Sequence, residues 1–447
     1  MTIFRAYDIR GIYPEQLNGE LSYKIGIAFA RFIGKGKIAV GMDARLSGPD
    51  LKKNIIKGLR DSGINVIDIG MVPTPALYFT VASMGLDGGA MITGSHNPKK
   101  YNGVKLCVKN AVCLSYETGI NEVEKIVKES PQSPQMDGNV EVVDIEDDYV
   151  DFVTKNVKLE KPIKIVIDAG NGSGGNISSK IFKKLGCEVI EINNNPDGNF
   201  PKHHPDPSER KNLAELQAKV KEVNANVGIA YDGDADRVGF IDENGEVIPN
   251  NNAFALIIEN VLRDSKGSKI IHEVLSSKMV EDVIKASGGV PVISRVGHSY
   301  IQEKMSEGAV LGGETSGHYY FAESYNYDDG IFGSVKLIEL ISKSEKKLSE
   351  LSNELPKYMT SDDTRIHCPD EKKFDVVKSL AEKFKNMEEV ITIDGVKVVL
   401  DNSWFIVRAS NTQPALVLRW EAKDRTEFER IGNFIKNEVE NEIKSIS

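Results

Sequence analysis

The chain has 447 residues, 40% hydrophobic and 27% charged, which is more than one hydrophobic core usually holds, so length predicts roughly three or four domains and excludes a single small binding module. Its 66 acidic against 56 basic side chains leave a net charge of −10, which argues against sequence-blind attraction to nucleic acid or to an anionic membrane surface. The four cysteines, Cys107, Cys113, Cys187 and Cys368, form no CxxC pair, and Arg5, Asp8 and Arg10 stand where a leader peptide would need an apolar run. The expectation is a soluble, cytoplasmic chain with free thiols.

In chain order, the first buried strand is read at Lys37–Asp43, followed by a helical stretch ending in glycine and a second strand at Ile64–Ile69. The same pattern returns at Ile163–Asp168 with Glu188–Ile192, and again at Lys269–Val274 with Val290–Ile293. Three copies of one βαβ unit predict mixed or parallel sheets with helices on both faces, an α/β architecture. In each copy a further strand runs into a polar, glycine-bearing loop: Thr93–Pro98 (TGSHNP), Asp232–Arg237 (DGDADR) and Gly312–His318 (GGETSGH). Ligands gather at such strand ends, so the three loops are expected to line one cleft. Ser130–Asn139, rich in Pro, Ser and Gln, and Pro356, which closes a helical stretch, mark linkers. From about Tyr358 the pattern changes to a strand, a helix, three strands (Val390–Ile393, Ser403–Arg408, Ala415–Glu421) and a final amphipathic helix. The expected division is 1–148, 149–249, 250–357 and 358–447: three similar mixed-sheet α/β/α domains and a C-terminal α+β domain around a central cleft.

Ser95 follows the strand Gly88–Ile92. A loop serine beside glycine is most often a turn residue, and Pro98 leaves no G-x-S-x-G elbow. The company of His96, Lys99, Lys100 and Lys105 points instead to an anion held at the hydroxyl. Asp232, Asp234 and Asp236 alternate after the strand Val227–Tyr231 and repel one another unless a cation neutralises them, which suits a hard, oxygen-binding metal. An EF-hand fails because Arg237 occupies the position of its turn glycine; a solvated acidic turn stays open. Asp168–Gly175 follows a strand and opens a helix as a dinucleotide fingerprint does, but Asp168 would place a carboxylate where pyrophosphate approaches. Arg408–Pro414 (RASNTQP), with Arg419, groups guanidinium, hydroxyl and amide donors as a phosphate cradle would. His203 and His204, set among prolines in Gly198–Pro207, read as a rigid turn and are assigned no chemistry.

Phe4–Gly11 (FRAYDIRG), the TGSHNP loop with Tyr101–Lys105 (YNGVK), the Asp232 loop, the GGETSGH loop and Arg408–Arg419 occur together in this order. In these motifs the chain resembles the α-D-phosphohexomutases over essentially its whole length, in the phosphomannomutase/phosphoglucomutase branch. The resemblance implies interconversion of hexose 1-phosphate and hexose 6-phosphate, of mannose and/or glucose, through a hexose 1,6-bisphosphate that also serves as activator. It implies a phosphoserine at Ser95, and Mg²⁺ on Asp232, Asp234 and Asp236 with Ser95. Sugar hydroxyls would be read by Glu314 and Ser316, and substrate phosphate held by Arg408, Ser410, Asn411, Thr412 and Arg419. Tyr7, Arg10, His96, Lys105, Arg237, Arg295, His298 and His318 fall on positions around the cleft, with proton transfer open among Lys105, His96 and His318. The implied partner is a small phosphosugar, with no nucleic acid or membrane, and the chain a monomer or homodimer. Three departures stand out: Ala235 where glycine is common, Gln413 where Glu or Thr is usual, and Arg295 where this branch often has lysine. Alternatives are a phosphoglucosamine mutase, a Mg²⁺ sugar phosphatase with Asp232 as nucleophile, a nicotinamide oxidoreductase using the glycines at 170, 172 and 175, and a silent sugar-phosphate-binding protein.

Overall fold

A computed structural model describes residues 3–410 and 414–446. The first sheet contains β1 (Ile9–Ile12), β2 (Lys37–Met42), β3 (Asn65–Met71), β4 (Gly88–Ile92), β5 (Tyr101–Val108), β6 (Val112–Cys113) and β7 (Val140–Val142), in the order β1-β5-β4-β2-β3-β7 with β6 on β5. The second holds β8 (Lys164–Asp168), β9 (Glu188–Ile192), β10 (Val227–Tyr231), β11 (Val238–Asp242) and β12 (Val247–Ile248), ordered β12-β11-β10-β8-β9. The third is β14 (Val290–Ser294), β13 (Lys269–Glu273), β15 (Ala309–Gly313) and β16 (Tyr319–Phe321), side by side in that order.

The internal repeat is visible as topology. In each of these sheets one strand lies between two parallel neighbours, and the later of those pairs with an antiparallel fourth: β3-β2-β4-β5, β9-β8-β10-β11 and β14-β13-β15-β16. The loops read as functional are the three β4–β5, β10–β11 and β15–β16 connections, so equivalent strand ends carry them. β4 and β10 are buried along their whole length, which explains their apolar and small residues and leaves the polar chemistry to the loops that follow.

The fourth sheet is antiparallel throughout: β17 (Met359–Thr360), β18 (Thr364–His367), β19 (Glu389–Ile391), β20 (Val396–Val399), β21 (Ser403–Ala409) and β22 (Ala415–Ala422), ordered β17-β22-β21-β20-β19 with β18 also on β22. β20, a fully buried strand, is not among the strands expected from the sequence: the turn at Asp394 and Gly395 makes a hairpin of the expected strand at Val390–Ile393 and the unassigned run after it. One apolar cluster extends through the first three sheets, from Ala39 and Tyr78 through Ile165 and Tyr231 to Phe254 and Tyr319, while separate clusters around Val40 and Leu106, Leu216 and Ile241, and Ile301 and Tyr320 pack elsewhere on the same sheets. The fourth sheet packs its own core around Phe405, Leu418 and Ile435, and a small cluster of Val274, Val399, Trp404 and Ile406 bridges it to the third. Among the described residues, no helix is long and apolar enough to cross a membrane, and all four cysteines are free and buried.

Candidate active site

Ser95 sits at the end of β4 with φ near 48°, in the left-handed region that a non-glycine residue occupies at a cost of about 1–2 kcal/mol. Its Oγ donates to Asp232 Oδ2 at 2.8 Å and lies 3.1 Å from His96 Nδ1. The serine and aspartate loops approach so closely that a Cβ on Gly233 would lie 2.6 Å from the Ser95 carbonyl oxygen, which accounts for the glycine between the first two aspartates. Arg10, from β1, donates through Nη1 to the Gly94 carbonyl and to Asn97 Oδ1, both at 3.0 Å. Burial and the guanidinium groups of Arg237 and Arg10 push the His96 imidazole down to about 2, so the ring beside the serine is neutral at physiological pH.

All three aspartates are buried, and their oxygens converge within 4.8 Å of one another. Three converging carboxylates need a cation, and the chain supplies one: Lys105 Nζ, from β5, donates to Asp234 Oδ2 at 3.0 Å and to Asp236 Oδ2. Thr74, at the start of the helix Thr74–Ser83, donates its hydroxyl to Asp234 Oδ2 at 2.6 Å and its N–H to the Asp234 carbonyl at 2.9 Å. Burial pushes Asp232 well above the usual carboxylate range, reinforced by Asp236 and Asp234. Asp236 falls well below it because Lys105 and His318 outweigh its burial. Asp234 Oδ1 is buried without a hydrogen-bond partner. An orphaned carboxylate oxygen beside two further carboxylates and a serine hydroxyl is a hard-donor set of the kind Mg²⁺ takes, so the residues fit that ion.

The third loop brings Glu314, Ser316 and His318. Ser316 Oγ lies 2.8 Å from His318 Nδ1, and His318 Nε2 faces Asp236 Oδ1 and Arg237 Nε, each at 3.4 Å. Burial holds His318 below its ordinary value against the pull of Asp236. Glu314 accepts from the Tyr320 hydroxyl, and burial together with Glu273 raises it to about 8. A carboxyl that keeps its proton near neutrality both donates and accepts, which suits the reading of sugar hydroxyls. Tyr7 donates to the Val296 carbonyl at 2.8 Å, with its ring 5.6 Å from that of His298. Burial and Lys105 lower His298 to about 3.

Some expected residues stand apart from this cluster. Arg295 is 45% exposed, lies over the Tyr300 ring at 4.2 Å and faces Glu117 at 3.7 Å. Lys99 and Lys100 are exposed, so of the lysines grouped with Ser95 only Lys105 joins the buried cluster. Arg408 and Arg419 occupy one face of the β21–β22 pair; Arg408 Nη2 donates to Asp394 at 2.8 Å and Arg419 Nε to Asp363 at 3.0 Å. Burial raises the Glu273 carboxyl, and both guanidinium groups pull it down, so they act across the junction with the third domain. Ser410 is buried, while Asn411, Thr412 and Gln413 lie outside the described residues. The glycines of the dinucleotide-like run have another use: a Cβ at Gly172 would lie 2.6 Å from the Gly233 carbonyl oxygen, and one at Gly174 2.5 Å from Ala235 Cβ. They let the second-domain loops nest where a pyrophosphate would have to enter.

Thr74, Asp43, Arg45, Glu273, Tyr320 and Asp328 were not singled out from sequence. Asp328 is buried beside His318, 3.7 Å from Nε2, and burial with Asp236 raises it to about 8. None lies in one of the polar loops or family-like motifs that marked the others.

Family models described as phosphoglucomutase/phosphomannomutase match the chain four times in order: alpha/beta/alpha domain I over residues 1–133, domain II over 147–245, domain III over 249–359 and the C-terminal domain over 364–438. A phosphomannomutase/phosphoglucomutase of Pseudomonas putida is 40% identical across 98% of this chain and 95% of its own length. A phosphoglucomutase of Neisseria meningitidis is 41% identical across 98% and 96%. A solved phosphoglucomutase/phosphomannomutase family protein from Burkholderia thailandensis superposes with a TM-score of 0.92 at 35% identity, over 99% of this chain and 98% of that one. With the four domains matched in succession and the likeness running end to end, the chain belongs to the phosphoglucomutase/phosphomannomutase family.

Proposed function

We propose that the protein interconverts hexose 1-phosphates and hexose 6-phosphates of the glucose or mannose series by way of a phosphorylated Ser95. The observation that carries this reading is the Ser95 hydroxyl, held on a strained backbone 2.8 Å from Asp232 within a buried cluster of Asp234, Asp236 and Lys105. Phosphoserine donates its phosphoryl group to the free hydroxyl of the sugar phosphate, giving a 1,6-bisphosphate and a free serine. The bisphosphate turns end for end and returns its other phosphoryl group to Ser95, releasing the isomer. Atoms balance over the cycle, and a trace of bisphosphate suffices to prime it.

Lys105, Arg10 and Arg237 are placed to meet charge that spreads over the transferring oxygens. Asp232, Asp234, Asp236 and the serine oxygen would hold Mg²⁺, which would supply electrostatic stabilisation of the phosphoryl group. Glu314 and Ser316 orient the ring, and Arg408, Ser410 and Arg419, with Asn411 and Thr412, grip the stationary phosphate by charge-assisted hydrogen bonds. The domain boundaries at 148, 249 and 357 belong to the same reading, each of the four units contributing one loop.

In a coupled assay with glucose 1-phosphate and mannose 1-phosphate, primed with bisphosphate and Mg²⁺, Ser95→Ala is expected to lose about 10³-fold or more of turnover. Intact mass should show one phosphate on the wild type and none on the variant. Wild-type turnover in Ser95→Ala, with no phosphate on the native chain, would remove the proposal.

A further inference from the structure

Arg45 lies at the end of β2, 1% exposed, and spends all five guanidinium N–H donors inside the protein. Nε donates to Asp43 Oδ2 at 3.1 Å. Nη1 donates to the carbonyls of Pro98 and Tyr101, both at 2.9 Å, and Nη2 to those of Ser95 at 2.7 Å and Asn97 at 2.6 Å. One side chain thus grips four carbonyls of the loop that presents the serine, including the carbonyl of Ser95 itself. Asp43 completes the hold from the other side. Its Oδ2 accepts from Thr93 Oγ1 at 2.8 Å and from the Gly94 N–H at 3.1 Å, and Thr93 Oγ1 in turn accepts the Ser95 N–H at 2.8 Å. The left-handed backbone at Ser95 needs such over-determination to persist.

The second domain closes over this clamp. The Phe200 ring, on the Gly198–Pro207 turn, lies 5.2 Å from Arg45 Cζ, and a Cβ on Gly198 would lie 2.5 Å from the Ala44 carbonyl oxygen. That turn is tied to the end of β8 by His203 Nε2 and Asp168 Oδ2 at 3.0 Å. The histidine turn and the glycine run, to which no catalytic part was assigned, are therefore the frame that seats one half of the phosphoryl-transfer site on the other.

We propose that Arg45 is a positioning residue that, with Asp43 and the Phe200 turn, holds the Ser95 hydroxyl in register with the Asp232 loop for phosphoryl transfer. This rests on Ser95 being the phosphoryl carrier. Lysine offers three donors from a point charge and cannot reproduce the fork, so Arg45→Lys strips carbonyls of their partners while keeping the charge.

The test uses the full-length chain. In Arg45→Lys, kcat should fall about 10²-fold with KM for glucose 1-phosphate within about threefold, because the sugar and phosphate contacts lie in other domains. Acquisition of phosphate from glucose 1,6-bisphosphate, followed by intact mass, should slow by a similar factor. Amide hydrogen exchange over 93–101 should speed up while exchange in β10 and β15 stays as in the wild type. Where Arg45→Lys does not fold, Phe200→Leu, which leaves the clamp's own hydrogen bonds intact, should show the same split of kcat from KM at about 5–10-fold. Unchanged exchange over 93–101, or a rise in KM at constant kcat, overturns the proposal. A wild type without phosphate, alongside an active Ser95→Ala, removes the phosphoserine reading and Arg45's part in turnover with it, yet the exchange result would still establish the grip on the loop.

Discussion

At Lys105 a buried ammonium already occupies the place between Asp234 and Asp236 that a divalent cation would contest. Burial disfavours its charge, but Asp234, Asp236 and Asp328 outweigh that and hold it well above the ordinary lysine value. Lys105→Met should therefore leave carboxylates buried without a counter-charge, at a cost of about 3–5 kcal/mol in EDTA. Mg²⁺ should restore more of the thermal midpoint in this variant than it adds to the wild type; equal Mg²⁺ shifts in the two proteins would contradict the account. The serine and the acidic triad were legible from sequence because each motif is contiguous. Thr74, Asp43 and Arg45 were not, because each acts through partners dozens of positions away: Thr74 meets Asp234 across 160 positions, and Arg45 meets Ser95 across 50; Asp328 meets His318 from beyond the end of the GGETSGH loop. Ala235 shows the limit from the other side. Its replacement of glycine was visible, but its φ of 56° and the nesting of its methyl group against Gly174 were not.

Among the elements, the helix Gly330–Lys343 illustrates how a cap becomes a titrating group. Asp329 caps it by accepting the Phe332 N–H at 2.8 Å and also accepts the Tyr149 hydroxyl at 2.7 Å, tying the third domain to the second. Burial raises this carboxyl from 3.8 to about 6, against the cap hydrogen bond that lowers it. The folded chain then holds the proton more tightly than the unfolded one, so Asp329 contributes most below pH 4 and that contribution is lost as pH rises through about 6. Asparagine caps equally well and does not titrate. Asp329→Asn is expected to gain about 2–3 kcal/mol on the wild type between pH 4 and pH 7 in denaturant unfolding; a pH-independent offset between the two would refute it. The three repeats were legible at this scale because each returns the same order of an apolar-led strand, a helix ending in glycine and a second strand. In the fourth domain short strands separated by tight turns defeat that signal, and β20 was lost to it.

Over the whole molecule, the apolar cluster that runs through the first three domains and the separate core of the fourth predict unequal stability. Both tryptophans of the chain, Trp404 and Trp420, lie in the fourth domain. Tryptophan fluorescence should therefore report an unfolding transition at lower denaturant than the main loss of far-UV circular dichroism; coincident transitions would show one cooperative unit. Specific polar contacts dock this domain. Lys397 Nζ donates to the Val274 carbonyl at 2.7 Å, and Glu421 Oε1 accepts from the Lys278 N–H at 2.8 Å and from Trp404 Nε1 at 2.9 Å.

None of those contacts runs through the peptide link. The chain crosses between the third and fourth domains at Pro356 and Lys357, both exposed and outside any helix or strand. What sets the fourth domain against the third is a set of side-chain contacts, Lys397, Glu421, Asp394, Tyr358 and a small apolar cluster among them, beyond covalent continuity. A chain nicked at that crossing thus keeps these side-chain contacts between its two pieces, and the fourth domain is expected to stay docked on the third after the cut.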